Sequence, residues 1–149
     1  MKNNFLMVMC GIPASGKSTM TQKFVESGIA VAVSTDKIRE ELYGDESIQK
    51  GGKLVFNTAY TRIKELGEHN RCCVFDATNI RAKDRKKLVK TMRDFFEIIY
   101  CTYFEPNVKL SIERNAKRDR QVPNEVIERM AKNFQIPTEQ EGFDYIIRI

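Results

Sequence analysis

Apolar residues fall into short runs separated by segments of mixed character. The first run, Phe5-Leu-Met-Val-Met-Cys10, is apolar at every position, the pattern of a strand covered on both faces. A glycine-containing turn follows, then a helical stretch from about Lys17 to Glu26 that Gly28 can stop. Ile29 to Val33 reads as a second strand, Asp36 to Tyr43 as a helix and Gly44 to Gly52 as a polar loop. Leu54 to Leu66 carries apolar residues at Leu54, Val55, Ala59, Ile63 and Leu66, close to helical spacing. Cys72 to Phe75 is the third strand. Ala82 to Phe95 is a basic amphipathic helix with Leu88, Val89 and Met92 inward, and Glu97 to Phe104 is the fourth strand. Val108 to Ala116 is helical, with Val108, Leu110, Ile112 and Ala116 as its contacts. Pro123 fits the first turn of a last helix striped by Val126, Ile127, Met130 and Phe134. Tyr145 to Ile149 closes the series as a fifth strand.

Strands alternating with helices predict βαβ units, right-handed crossovers and a mostly parallel five-stranded sheet covered on both faces, a three-layer α/β fold. With 149 residues and no linker, repeat or low-complexity tract, residues 1–149 read as one domain. Ligands of such folds bind beyond the C-terminal ends of the strands. The charged motifs of this chain all fall at those ends.

Gly11-Ile12-Pro13-Ala14-Ser15-Gly16-Lys17-Ser18 matches G-x-x-x-x-G-K-[ST], followed by Thr19, between a predicted strand and a predicted helix. Backbone N–H groups of such a loop, with the helix N-terminus, form an anion cradle. Lys17 is suited to the β- and γ-phosphates of a nucleotide, and the Ser18 hydroxyl to Mg²⁺. The motif also serves ATPases and GTPases. No guanine-reading N-K-x-D stands at a strand end, and the chain is short for a motor module.

After the second strand, Asp36 and Arg39 are three apart in Ser34-Thr35-Asp36-Lys37-Ile38-Arg39 and share a helix face. The carboxylate can accept a hydroxyl proton and the guanidinium can hold a phosphate. Alternatively Asp36 is a helix cap and Arg39 a solvated charge. Asp76, ending the third strand before Ala77, Thr78 and Asn79, is placed to orient Mg²⁺, or with its neighbours to shape a turn. Glu113-Arg114-Asn-Ala-Lys117-Arg118-Asp-Arg120 sets Arg114 and Arg118 four apart. They are either arginines of a lid over a transferring phosphoryl group or a solvated helix end.

The net charge of +5 permits an anionic partner. Seven basic residues and one acid, Asp84, occupy Arg81 to Arg93, which is either a solvated face or a contact to a phosphate backbone. Cys10, Cys72, Cys73 and Cys101 form no CxxC pair, which argues against zinc and for buried, reduced thiols in a cytoplasmic protein. No apolar run approaches the ~20 residues of a membrane span, and none near the start suits a signal peptide. His69 is isolated and reads as a surface residue.

Taken together, G-I-P-A-S-G-K-S-T from Gly11, S-T-D-K-I-R from Ser34, D-A-T-N from Asp76, E-R-N-A-K-R-D-R-Q-V from Glu113 and E-G-F-D-Y-I from Glu141 resemble the kinase module of the polynucleotide 5′-hydroxyl kinases. The resemblance covers nearly the whole chain. It implies a P-loop kinase fold with a helical lid, ATP and Mg²⁺ as cofactors, and the 5′ end of DNA or RNA as acceptor. By it, Lys17 and Ser18 serve ATP and Mg²⁺, and Asp76 is the site carboxylate. Asp36 is the general base, and Arg39 contacts the neighbouring phosphate of the acceptor. Arg118 is the lid residue on the donor phosphates, assisted by Arg114 and Arg120. Related P-loop kinases act on nucleosides, sugars, antibiotics, modified bases or tRNA-linked groups, and a nucleotide-dependent switch without transfer would share the cradle.

Overall fold

A strand apolar on both faces must be sandwiched, and β1, Phe5–Cys10, sits at the centre of the sheet. The computed structural model describes residues 2–45 and 51–149, and most of the polar loop expected over Gly44 to Gly52 lies outside them. Around β1 the elements follow in chain order. They are α1 (Lys17–Glu26), β2 (Val31–Ser34), α2 (Thr35–Tyr43), α3 (Gly52–Glu68), β3 (Cys73–Asp76), α4 (Ala82–Met92), β4 (Ile98–Tyr103), α5 (Val108–Ala116), α6 (Asn124–Asn133) and β5 (Tyr145–Arg148). The sheet order is β2-β3-β1-β4-β5, and every pairing is parallel.

Alternation along β1 builds two cores. Leu6, Val8 and Cys10 face Val33, Phe75 and the inner stripes of α2, α3 and α4, including Ile38, Val55, Ile63 and Leu88. Met7 and Met9 face the other way, with Val74 and Phe104, and α1 covers them with Met20 and Phe24. The register aligns Met9 with Asp76, and Asp76 with Ser34. Three strands therefore deliver their following residues to one edge of the sheet. The α5–α6 pair stands over that edge as the helical lid.

Several expectations shift. The second strand begins at Val31, because the turn at Gly28 (φ 77°) takes up Ile29, which is 56% exposed. The basic helix ends at Met92, and Arg93–Phe95 tighten into a 3-10 turn. The inward face of α5 is polar: Ser111 and Asn115 are buried, whereas Leu110 and Ala116 are exposed. Asn115 folds over the lid loop, donating to the Val122 carbonyl (2.6 Å) and accepting from its N–H (3.0 Å), which an apolar residue could not do. Cys10, Cys73 and Cys101 are buried free thiols as expected, but Cys72 is only half-buried. His69 is exposed at the end of α3. Among the described residues no helix is long and apolar enough to cross a membrane.

Asn4, 1% exposed, ties the sheet together just before β1. Its amide donates to the carbonyls of Phe95 (3.0 Å) and Arg71 (3.3 Å), and its side-chain oxygen accepts from Glu97 N–H (3.1 Å). Asn4→Ala strands these buried partners, and urea denaturation should show a loss of about 2–4 kcal/mol.

Candidate functional site

The loop between β1 and α1 owes its shape to two glycines. A Cβ on Gly11 would meet Ser15 Oγ at 2.7 Å. Gly16 holds φ 107°, with the Phe104 ring 3.5 Å from where its Cβ would stand. Ala14 is also left-handed (φ 60°). The Gly11 N–H is given to the Thr78 carbonyl (2.9 Å), so Gly11 serves the loop by lacking a side chain. Ile12 is fully buried and offers its carbonyl inward. Pro13 to Thr19 line an open cleft of about 930 Å³ together with Asp36, Arg39, Asp76, Arg114, Arg118 and Arg120.

Lys17, 7% exposed, donates to the Ile12 carbonyl (2.9 Å) and approaches Ser15 Oγ (3.5 Å). Burial pushes its ammonium below the ordinary 10.5. Asp76 and Asp36 counter that shift, and Arg118 adds to it. The fold thus brings Lys17, Asp36, Asp76 and Arg118 within electrostatic reach of one another. A buried, incompletely compensated cation at a helix N-terminus is a site prepared for an anion.

Ser18 Oγ donates to Asp76 Oδ2 at 2.8 Å. Hydroxyl and carboxylate oxygens side by side are hard donors that fit Mg²⁺. Among the described residues no group of three or more His, Cys, Asp or Glu could hold a metal. An ion here would draw its remaining ligands from phosphate oxygens and water, the habit of Mg²⁺ rather than of a caged metal. Bound there, it would supply positive charge to phosphate oxygens.

Asp36 does not cap α2. Ser34 does, accepting from Lys37 N–H (3.3 Å), which frees the Asp36 carboxylate to pair with Arg39 Nη1 (3.3 Å). The Arg39 side chain is only 14% exposed, and its Nε is buried without a hydrogen-bond partner among the described residues. On the lid, α5 ends at Ala116, so a continuous helix does not carry Arg114 and Arg118 on one face as expected. A turn closed by Arg118 N–H on the Asn115 carbonyl (3.1 Å) brings Arg118 to the cleft instead. Arg114 Nη1 donates to the Ser15 carbonyl (3.1 Å), binding the lid to the loop. Arg120 lines the cleft but reaches Asp45 (3.3 Å) and Glu40 (3.9 Å), bridging the lid to the end of α2.

Sequence reasoning missed the apolar part of the cleft lining, to which α3 contributes Phe56 and the lid Val122, Val126 and Met130. Nothing separates such residues from ordinary core positions in a helical stripe. It also missed the conformation of Asn79, left-handed at φ 46°, whose amide donates to the Met9 carbonyl (2.8 Å).

The family model described as AAA domain matches residues 6–137. The chain is 28% identical over 145 residues to the L-seryl-tRNA(Sec) kinase of Methanococcus maripaludis, covering 93% of this chain and 56% of that protein. It is 23% identical over 143 residues to the bifunctional polynucleotide phosphatase/kinase of Schizosaccharomyces pombe, covering 93% of this chain and 31% of that protein. A chain of the Pnkp1/Rnl/Hen1 RNA repair complex superposes with a TM-score of 0.79 at 21% identity, over 89% of this chain and 44% of that one. The chain therefore spans about half, or less, of the length of these three relatives.

Lys17→Met removes a cation that burial disfavours. Without ligand, its melting temperature should equal or exceed that of the unaltered protein at pH 7, while the rise caused by ATP disappears. Because folding lowers the pKa of Lys17, the unfolded chain binds more protons between that lowered value and 10.5. Unaltered protein should therefore gain stability relative to Lys17→Met as pH rises through that window. Melting curves with and without ATP across pH 7–10 check both.

Proposed function

The chain belongs to the AAA domain family, and on that footing we propose that it is an ATP-dependent phosphotransferase whose acceptor is the 5′-hydroxyl of a DNA or RNA strand. The loop from Pro13 to Thr19 with Lys17 holds the triphosphate, Ser18 and Asp76 hold Mg²⁺, and Arg114 and Arg118 cover the donor phosphates. Asp36 takes the proton of the acceptor hydroxyl as its oxygen bonds to the γ-phosphorus. The bond from that phosphorus to the β–γ bridging oxygen breaks, and ADP leaves with its charge met by Lys17 and the lid arginines.

One observation supports the acceptor class: the Arg39 guanidinium pairs with Asp36 and the two residues line the wall of the cleft together. A guanidinium in that position can hold a phosphate oxygen by charge-assisted hydrogen bonds. A neutral sugar would offer it only hydroxyl oxygens, which are weaker acceptors. An acceptor carrying a phosphate next to its reactive hydroxyl would satisfy it. Apolar Phe56 and Val122 nearby suit a flat base more than a polyol.

A second reading has its own support. The relative at 28% identity is named for a seryl-tRNA acceptor, whose reactive hydroxyl is also linked to a phosphate-bearing chain. The assay is transfer from γ-labelled ATP with Mg²⁺ to 5′-hydroxyl oligonucleotides, to serylated tRNA and to a panel of sugars and nucleosides. Label on the oligonucleotide 5′ end is the expected outcome. Label on serylated tRNA alone would replace the first reading by the second, and label on sugars alone would end both. In the active assay Asp36→Asn should lower transfer by about 10²–10⁴-fold with ATP affinity nearly unchanged. Full turnover by this variant would remove Asp36 from the role of base.

A further inference from the structure

Along α4 the inward stripe of Leu88, Val89 and Met92 extends one step toward the N-terminus to Arg85, at i, i+3, i+4 and i+7 spacing. Arg85 is 0% exposed. An apolar residue would satisfy the core there, and a buried ion pair is no stabiliser in itself. Its presence points to geometry that an apolar side chain cannot impose.

The guanidinium is almost fully used. Nε donates to Glu141 Oε1 (2.6 Å) and Nη2 to Glu141 Oε2 (3.1 Å). Nη2 also donates to the Gln135 carbonyl (2.7 Å), and Nη1 to the Asn79 carbonyl (2.7 Å). Glu141, 5% exposed, is held in turn by Thr138, whose N–H it accepts at 3.0 Å. Burial opposes the charge on Arg85, and the hydrogen-bonded Glu141 carboxylate, together with the neighbouring Cys10 and Cys101, more than restores it. The pair is therefore a rigid charged strut.

One end of that strut is the loop after β3. Asn79 holds a left-handed conformation, which asparagine adopts more readily than other non-glycine residues. Its constraints are Arg85 on its carbonyl and Met9 on its amide. One residue earlier, the Thr78 carbonyl accepts the Gly11 N–H at the start of the phosphate loop. At the head of the same loop Asp76 accepts the Ser18 hydroxyl. Four residues thus connect the strut to both halves of the candidate site.

We infer that Arg85, clamped by Glu141, is a positioning residue: it locks the Asp76–Asn79 loop so that the Asp76 carboxylate and the phosphate loop stand ready for a metal-bound nucleotide. This rests on the reading of Ser18 and Asp76 as the Mg²⁺ site. The bidentate fork that reaches Glu141 and Asn79 at once is available to arginine and not to lysine.

The test is calorimetric titration of ATP with and without Mg²⁺ on the unaltered protein and on R85M/E141L, which refills the space with apolar atoms. Melting curves check folding. The expected result is a folded variant whose Mg²⁺-dependent gain in ATP affinity falls about tenfold or more. Its metal-free affinity should stay within about twofold, and amide exchange at Gly11 should speed up. Arg85→Lys should behave like the double variant, and Glu141→Gln should shift the same quantity less. Arg62→Ala removes another long-range ion pair, to Glu41 (2.5 Å), away from the loop. It should cost stability but leave the Mg²⁺-dependent gain intact. A double variant with the full Mg²⁺-dependent gain overturns the inference, as does equal loss of affinity with and without the metal. Should R85M/E141L fail to fold, Arg85→Lys and Glu141→Gln decide by the same measurement. If the unaltered protein itself gains no ATP affinity from Mg²⁺, the metal-site reading falls first and takes this inference with it.

Discussion

Everything at the candidate site depends on β1 being hydrogen-bonded along both edges. A strand covered by helices on both faces has no access to water, so its backbone groups must pair with β3 on one side and β4 on the other. That pairing aligns Met9 with Asp76 and brings the loop after β1 beside the loop after β3. The Gly11 N–H to Thr78 carbonyl bond and the Asn79 side chain on the Met9 carbonyl are the last rungs of the same ladder. The phosphate loop is thereby shaped by the sheet before any ligand arrives, which is the meaning of preorganisation in physical terms.

Three cations near this edge, two buried and one largely so, are treated in three ways, and the contrast separates support from binding. Arg85 has its donors spent on Glu141 and backbone carbonyls, so it is finished structure. Lys17 is desolvated with one good acceptor, the Ile12 carbonyl. Arg39 keeps a buried Nε with no acceptor among the described residues. The cost of leaving a charged donor unmet falls on the folded protein and is recovered when an anion binds. Lys17 and Arg39 lie on the walls of one cleft, where anionic groups would meet the charge of both.

The alternation of strands and helices was legible because buried parallel strands are apolar throughout and helices are striped. The phosphate loop was legible because its spacing encodes its shape. Element ends were less so: Ile29 looks like strand, yet the turn at Gly28 leaves it in solvent. The polar inner face of α5 was invisible, since Ser111 and Asn115 bury themselves only because Val122 returns to meet Asn115. Arg85 was read as one more charge in a basic run. The clue was its place on the apolar stripe of α4. What no local pattern could supply was Glu141, 56 residues away, which makes burial tolerable.

Where the positive charge lies bears on the kind of ligand the fold has been shaped for. Within the run from Arg81 to Arg93, Arg85 is interred, Arg81 pairs with Asp84 and Arg93 with Asp144, so three of its charges are already matched. The cleft is different. Seven basic side chains and two acidic ones line it; Arg39 pairs with Asp36 and Arg120 with Asp45, which leaves five of the seven without an ion pair among the described residues. A protein that tracked a long phosphate backbone by its surface would spread that excess along a face. Here it is gathered in a concavity whose low-dielectric walls focus the field on a few oxygens. The balance of charge elsewhere keeps that field local. A short, highly charged group such as a triphosphate, met by the single phosphate of an acceptor end, matches this distribution better than an extended polyanion does.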